Sequence, residues 1–302
     1  MVLGITSIQR DRGPWIVEWL AFHMMIGIDR FFIYVHNTND GMTEVLVELS
    51  RHYPIEVVLI GGDRPQLQAY RSVWDRHGND VDWMAFIDGD EFLFSPQYLN
   101  TWEPNRWDIK ETITAYEDKD ISAIGVYWMH YGSNGHIQEP EGLIIENYPR
   151  HANNVAAVNY HIKSIVRGKQ EIGIRENPHG FNTEKGTFTE HLRPVHMVFI
   201  TQEELDNGIL PTHSLLRLNH YATQSYEYFK NTKQYQGYAD LSPHGVRPDK
   251  WFFDRDRNEC DDGMMYNLLA PLKLKIRELQ SHLSEPVAQR VARYTPFPSQ
   301  TV

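Results

Sequence analysis

Three carboxylates stand within four residues at Asp88, Asp90 and Glu91, and the residues on both sides of them are apolar. Trp83-Met84-Ala85-Phe86-Ile87 leads in and Phe92-Leu93-Phe94 leads out, so the cluster abuts a hydrophobic strand. Uncompensated negative charge in such a place is costly, so a cation should face it. A hard divalent ion with oxygen ligands is the natural candidate. Other acidic signatures fail on spacing. An EF-hand loop needs Asp or Asn at its fifth position and Gly at its sixth, where Phe92 and Leu93 stand. The run Asp254-Arg255-Asp256-Arg257-Asn258 begins like such a loop but carries Glu259 at the Gly position and Met265 where the bidentate Glu belongs. A phosphatase built on an Asp nucleophile and an Asp acid expects Thr or Val two residues beyond the second Asp. Phe92 is there instead.

The elements that must position this cluster are legible upstream. Val2 to Ile8 reads as a first strand, and Trp15 to Ile26 as a helix with Pro14 at its first position and Gly27 just past its end. Phe31 to Val35 is a second strand, followed by the turn signal Asn37-Thr38-Asn39-Asp40-Gly41. A helix over Met42 to His52, a strand over Ile55 to Ile60, a break at Gly61-Gly62-Asp63, a helix over Gln66 to His77 and a strand over Trp83 to Ile87 complete the series. Continuous apolar strands alternating with helices predict an α/β fold, a mostly parallel central sheet with helices on both faces. Ligands of such sheets bind outside the carboxyl ends of the strands, which is where Asp88-Gly89-Asp90 falls. Further on, Ile121 to Tyr131, Ala156 to Val166 and Val195 to Ile200 read as strands, Leu268 to Leu283 as a C-terminal helix, and Pro296 to Val302 as a tail.

Composition narrows the partners. The chain of 302 residues is long enough to bury a full core, and its net charge of −11 argues against a nucleic-acid partner. An anionic ligand must then be held by a metal or by a few placed basic residues. Cys260 is the only cysteine, so no intramolecular disulfide forms, and a reducing, cytoplasmic setting fits. No window of about 18 apolar residues occurs, which leaves peripheral membrane association open.

An ordered series of motifs resembles the glycosyltransferases of family 92 and the related family-2-like group, which share the GT-A nucleotide-sugar fold. The series runs through Pro14-Trp15-Ile16-Val17-Glu18-Trp19, Gly27-Ile28-Asp29, Gln66 with Ala69-Tyr70, and Trp83 to Leu93. It continues with Trp128, Tyr131-Gly132-Ser133-Asn134-Gly135-His136, Pro140-Glu141-Gly142-Leu143, Lys163-Ser164-Ile165-Val166, His220-Tyr221, Ser225, Phe229 and Lys230. The resemblance implies one GT-A-like domain over 1–265, followed by a helix and tail over 266–302. It implies a metal-dependent transfer of a sugar from a nucleotide-sugar donor, a UDP-sugar foremost, to a glycan, polysaccharide or glycoconjugate acceptor, with inversion at the transferred carbon.

Position by position, the resemblance implies that Asp88 and Asp90 hold a divalent metal, Mn²⁺ foremost or Mg²⁺, against the donor diphosphate. His220 is implied as a further metal or phosphate contact, and Asp40 as a neighbour of the nucleotide. Arg71, Lys163 and Lys230 are candidate diphosphate contacts. The family has a basic residue followed by Asn and Glu before the first helix; here Arg10-Asp11-Arg12 stands in that place, and Arg10 and Arg12 become candidates for the donor. An inverting enzyme needs a carboxylate to take the acceptor proton. Glu139 is the first candidate base and Asp262, in the late acidic run, the second. The alternative is a carbohydrate-binding or scaffolding protein that keeps the fold without turnover, and the altered Arg10-Asp11-Arg12 loop favours it.

Overall fold

In the parallel strands successive side chains point to opposite faces, and both faces are apolar. Along β2 (Arg30–His36), Phe31, Ile33 and Val35 enter one core, while Phe32 and Tyr34 enter the other. Such a strand must be covered on both sides. The computed structural model, which describes residues 1–62, 64–99, 107–237 and 245–292, shows the two covers. Helices α1 (Ile16–Met25) and α2 (Met42–Leu49) pack on one face, and α3 (Pro65–His77) packs on the other through Ala69, Tyr70, Val73 and Trp74.

The sheet runs β3 (Ile55–Ile60), β2, β1 (Leu3–Gln9), β4 (Trp83–Phe86), all parallel. Beyond β4 the strand Ile162–Arg167 is antiparallel and pairs with the earlier strand Ala123–His130, which in turn pairs in parallel with Thr187–Thr189. The expected α/β architecture with a mostly parallel sheet is the one observed. The helix Leu269–Gln280 lies on the α1 side, with Leu272, Ile276 and Leu279 in the same core.

Several expected elements differ in extent. Pro14 precedes the capping residue Trp15 rather than opening the helix. The strand expected over Ala156 to Val166 begins only at Ile162, because Ala157–Asn159 forms a 3₁₀ turn whose Asn159 side chain accepts from the His130 backbone amide. Of Val195 to Ile200, only Pro194–Val195 is strand, with a single bridge from Phe199 to His161. A second C-terminal helix, Glu285–Ala292, follows the expected one. The expected tail from Pro296 lies outside the described residues.

Candidate functional site

The acidic cluster is a tight turn that joins β4 to β5 (Glu91–Phe94). The Glu91 amide donates to the Asp88 carbonyl, and the Asp88 amide donates to the Glu91 carboxylate at 2.7 Å. Gly89 passes close to Gln9: a Cβ on it would lie 2.6 Å from the Gln9 side-chain carbon. The short strand Arg217–His220 is threaded between β5 and Ala123–His130, opposing His220 to Glu91 on one side and to His130 on the other. The Tyr221 amide then donates to the Asp90 carbonyl, so His220 is delivered beside Asp90 across 130 residues of chain.

Two lysines face the three carboxylates. Lys163, which is buried, places Nζ 2.8 Å from Asp88 and 3.6 Å from Glu91. Gln66 donates to the other oxygen of Asp88, and Trp128 Nε1 donates to Glu91 at 2.7 Å. Burial opposes the charge on Lys163, but Asp88 and Glu91 outweigh it and raise its pKa. Burial pushes the Glu91 carboxyl up, against the pull of Lys163. Asp90 pairs with Lys233 through Oδ2, and its Oδ1 lies 3.7 Å from His220 Nε2. Burial alone would raise Asp90, yet Lys233, His220 and Arg12 hold it well below the usual carboxylate range. Burial pushes His220 well below its ordinary value, which leaves the neutral imidazole, the form that ligates metals. Its Nδ1 is buried with no hydrogen-bond partner among the described residues.

Gln66, Asp88, Asp90, Trp128, His220 and Lys233 line a cavity of about 620 Å³ at the carboxyl ends of β1, β2 and β4. Arg10 and Arg12 line it as well. Arg12 is buried over the Trp15 ring and donates to Gln224 and Tyr228. Its Nε and Nη2 have no hydrogen-bond partner among the described residues. Arg10 donates to the Gln236 carbonyl and lies 3.4 Å from Asp11.

Six expected site residues lie outside the cavity lining, the buried Lys163 among them. Asp40 accepts from the Gly13 and Met42 amides and from Thr38, tying the β1 and β2 loops together. Arg71 is exposed on α3. Lys230 pairs with Asp249 at 2.8 Å. Asp262 pairs with buried Arg217 and accepts from Tyr131 and the Met264 amide, so its carboxylate is committed to packing the chain. Glu139 accepts from both Tyr148 and Ser225, and Gln224 connects it to Arg12. Burial raises its pKa. It stands behind the cavity wall rather than in it.

Sequence reasoning missed Lys233, because Phe229–Lys233 is a π-helical turn and no periodic pattern marks which lysine turns inward. It also missed Gln9, His130, His161 and His179, all in the lining. Among the described residues no group of three or more His, Cys, Asp or Glu is gathered as a metal cluster. What the site offers is two carboxylates and one neutral imidazole facing an open cavity. Of these, Asp90 and His220 stand 3.7 Å apart, an oxygen and a nitrogen donor of the kind a divalent cation takes when its remaining ligands come from substrate phosphates. Among the described residues no helix is long and apolar enough to cross a membrane.

The sequence profile of glycosyltransferase family 92 matches residues 5–201. A glycosyltransferase family 92 protein of Arabidopsis thaliana is 24% identical over 82% of this chain and 43% of its own length. One from Oryza sativa subsp. japonica is 27% identical over 54% of this chain and 26% of its own. The matched stretch therefore spans less than half the length of these relatives. Among solved structures, S. aureus TarS 1-349 in complex with UDP superposes on 55% of this chain and 47% of its own, with 11% identity and a TM-score of 0.37.

Proposed function

The chain belongs to glycosyltransferase family 92, and from that premise we propose that it moves a sugar from a nucleotide diphosphate donor, with uridine as the nucleoside, to a glycan, polysaccharide or glycoconjugate acceptor. The observation that carries this reading is the Asp88-Gly89-Asp90 turn at the end of β4, opening into a cavity that Arg10, Arg12 and Lys233 also line. Carboxylates beside free guanidinium nitrogens suit a diphosphate bridged by a cation and clamped by arginine.

In this reading Asp90, His220 and Asp88 hold a divalent metal, Mn²⁺ first. The ion, when bound, neutralises charge on the departing diphosphate. Arg12 offers its two unpartnered nitrogens to phosphate oxygen, held in place by Gln224 and, behind it, Glu139. Lys163 pairs with Asp88 and lies beside Glu91, which fixes the turn. Inversion needs a carboxylate that reaches the acceptor hydroxyl. Among the described lining residues only Asp88, Asp90 and Asp254 carry one. The first two are engaged by buried or half-buried lysines, so Asp254, whose partner Lys250 is exposed, is the base in this scheme. A cytoplasmic setting, consistent with the single cysteine, belongs to the same reading.

The test is nucleotide release. Purified protein with Mn²⁺ and a panel of UDP- and GDP-sugars should release nucleoside diphosphate, and faster with a glycan acceptor present. Binding of donor with no release under any acceptor would favour the non-catalytic carbohydrate binder instead, a reading to which the lysines already seated on both carboxylates give some support. No binding of any nucleotide would reject both the donor and the transferase.

A further inference from the structure

Arg12 is a buried cation in the cavity wall, and the groups that grip it are neutral. Its guanidinium lies 4.6 Å over the Trp15 ring and 5.7 Å over the Tyr228 ring. Nη1 donates to Gln224 Oε1 at 2.5 Å and to the Tyr228 hydroxyl at 3.0 Å. Nε and Nη2, which have no partner among the described residues, share the opposite edge of the planar group. That edge is the one able to meet two phosphate oxygens side-on. What holds Nη1 therefore decides which edge is left for a ligand.

Both holders of Nη1 lead back to Glu139. Gln224 is fully buried and has a φ of +46°, a left-handed conformation that a non-glycine residue keeps only where its surroundings enforce it. Its amide has one accepting and one donating end. Arginine offers donors only, so Oε1 must face Arg12, and Nε2 then turns toward Glu139 at 3.4 Å. The second holder, Tyr228, has its amide bonded to Ser225 Oγ at 3.0 Å. Having accepted there, the Ser225 hydroxyl gives its proton to Glu139 at 2.5 Å. The Tyr148 hydroxyl lies 2.9 Å from each Glu139 oxygen and is the third donor. Three donors converge on one side chain, an arrangement that suits a carboxylate, which only accepts. Neither Glu139 nor Gln224 lines the cavity.

We propose that Glu139 is a positioning residue for the donor: by holding Gln224 and Ser225 it commits Arg12 Nη1 to the protein and keeps the Nε–Nη2 edge for the diphosphate. The carboxylate after the glycine loop thus acts on binding from behind the wall, without touching the ligand. The inference rests on the donor reading above, in which Arg12 meets phosphate.

A double-mutant cycle tests it. Calorimetry with Mn²⁺ and UDP or GDP, whichever the wild type binds, is run on Arg12→Met, Glu139→Gln and the double variant, with an unfolding curve for each. Arg12→Met should weaken the nucleotide by about tenfold or more. Glu139→Gln replaces one accepting oxygen with a donor among three converging donors and should weaken it by about fivefold. The double variant should stay within twofold of Arg12→Met, because without the guanidinium Glu139 has nothing to position. Should Glu139→Gln not fold, Gln224→Met takes its place in the same cycle with the same expected pattern. Wild-type affinity in a folded Glu139→Gln variant would overturn the inference and leave the donor reading intact. So would losses that add in the double variant, since a merely structural Glu139 would act independently of Arg12. Unchanged affinity in Arg12→Met would overturn the inference together with the role of Arg12. Failure of the wild type to bind either nucleotide would overturn the donor reading and this inference with it.

Discussion

Lys233 closes an ion pair on Asp90 at the same carboxylate that His220 approaches from its other oxygen, at 3.7 Å. One acidic side chain thus carries a cation now and faces a neutral imidazole suited to a second. Ionised Asp90 stabilises the fold in full above its ordinary value of 3.8, and that contribution is lost as pH falls toward its depressed folded value.

Lys233→Met should therefore cost about 3 kcal/mol in urea unfolding at pH 7, the usual scale for breaking a buried pair from one side. Millimolar Mn²⁺ should restore part of that loss in Lys233→Met but not in Lys233→Met/Asp90→Asn. Equal rescue of both variants would place the ion elsewhere.

Glu18 gives a pH signature of opposite sign. It is buried, caps the Ile144 and Ile145 amides, and burial raises its pKa to about 7. The folded state then binds the proton more tightly than the unfolded chain between 4.5 and about 7. Stability should fall as pH rises through that window, by on the order of 3 kcal/mol from this group. Glu18→Gln should flatten the slope. Identical slopes in the two proteins would show that Glu18 titrates normally.

The two acidic residues of the late run should separate cleanly. Asp254→Asn should lower kcat by roughly 100-fold or more with donor affinity unchanged, as loss of a general base does. Asp262→Asn leaves Arg217 buried without its carboxylate, so it should cost about 3 kcal/mol of stability instead. Steady-state kinetics beside denaturant unfolding of both variants reads the difference. A kinetic loss confined to Asp262→Asn would reverse the assignment.

Gly89→Ala drives a methyl into Gln9. It should weaken donor binding about tenfold where buried Gln9 and the turn shift to relieve the clash. Trimming the neighbour in Gln9→Ala/Gly89→Ala should recover most of the loss, a coupling that a double-mutant cycle measures directly. Additive losses would mean that the turn does not rest on Gln9.

The first half of the fold was legible because β1 to β4 are apolar on both faces, and α1 to α3 carry their own start and stop residues. The second half was not. Arg217–His220 contains one apolar residue, Leu218, and is a strand only because β5 and Ala123–His130 pair with it from both sides. The same pattern holds at the site. Asp88 and Asp90 announced themselves as charge beside a hydrophobic strand, and the motif series singled out His220. Lys233 was hidden by a π-helical turn that sends Lys230 to Asp249 and its neighbour three residues on to Asp90. His130, His161 and His179 were hidden because they come from three separate segments that meet only at the cavity.

The central claim is that Asp90 and His220 join a divalent ion to a nucleoside diphosphate. Calorimetry of UDP and GDP binding, with Mn²⁺ and with EDTA, tests it most directly in the wild type, Asp90→Ala and His220→Ala. The wild type with Mn²⁺ should bind one nucleotide, losing at least about tenfold in EDTA, with the same loss in either variant with the metal present. Nucleotide binding of equal strength with and without Mn²⁺, unchanged in Asp90→Ala, would contradict it.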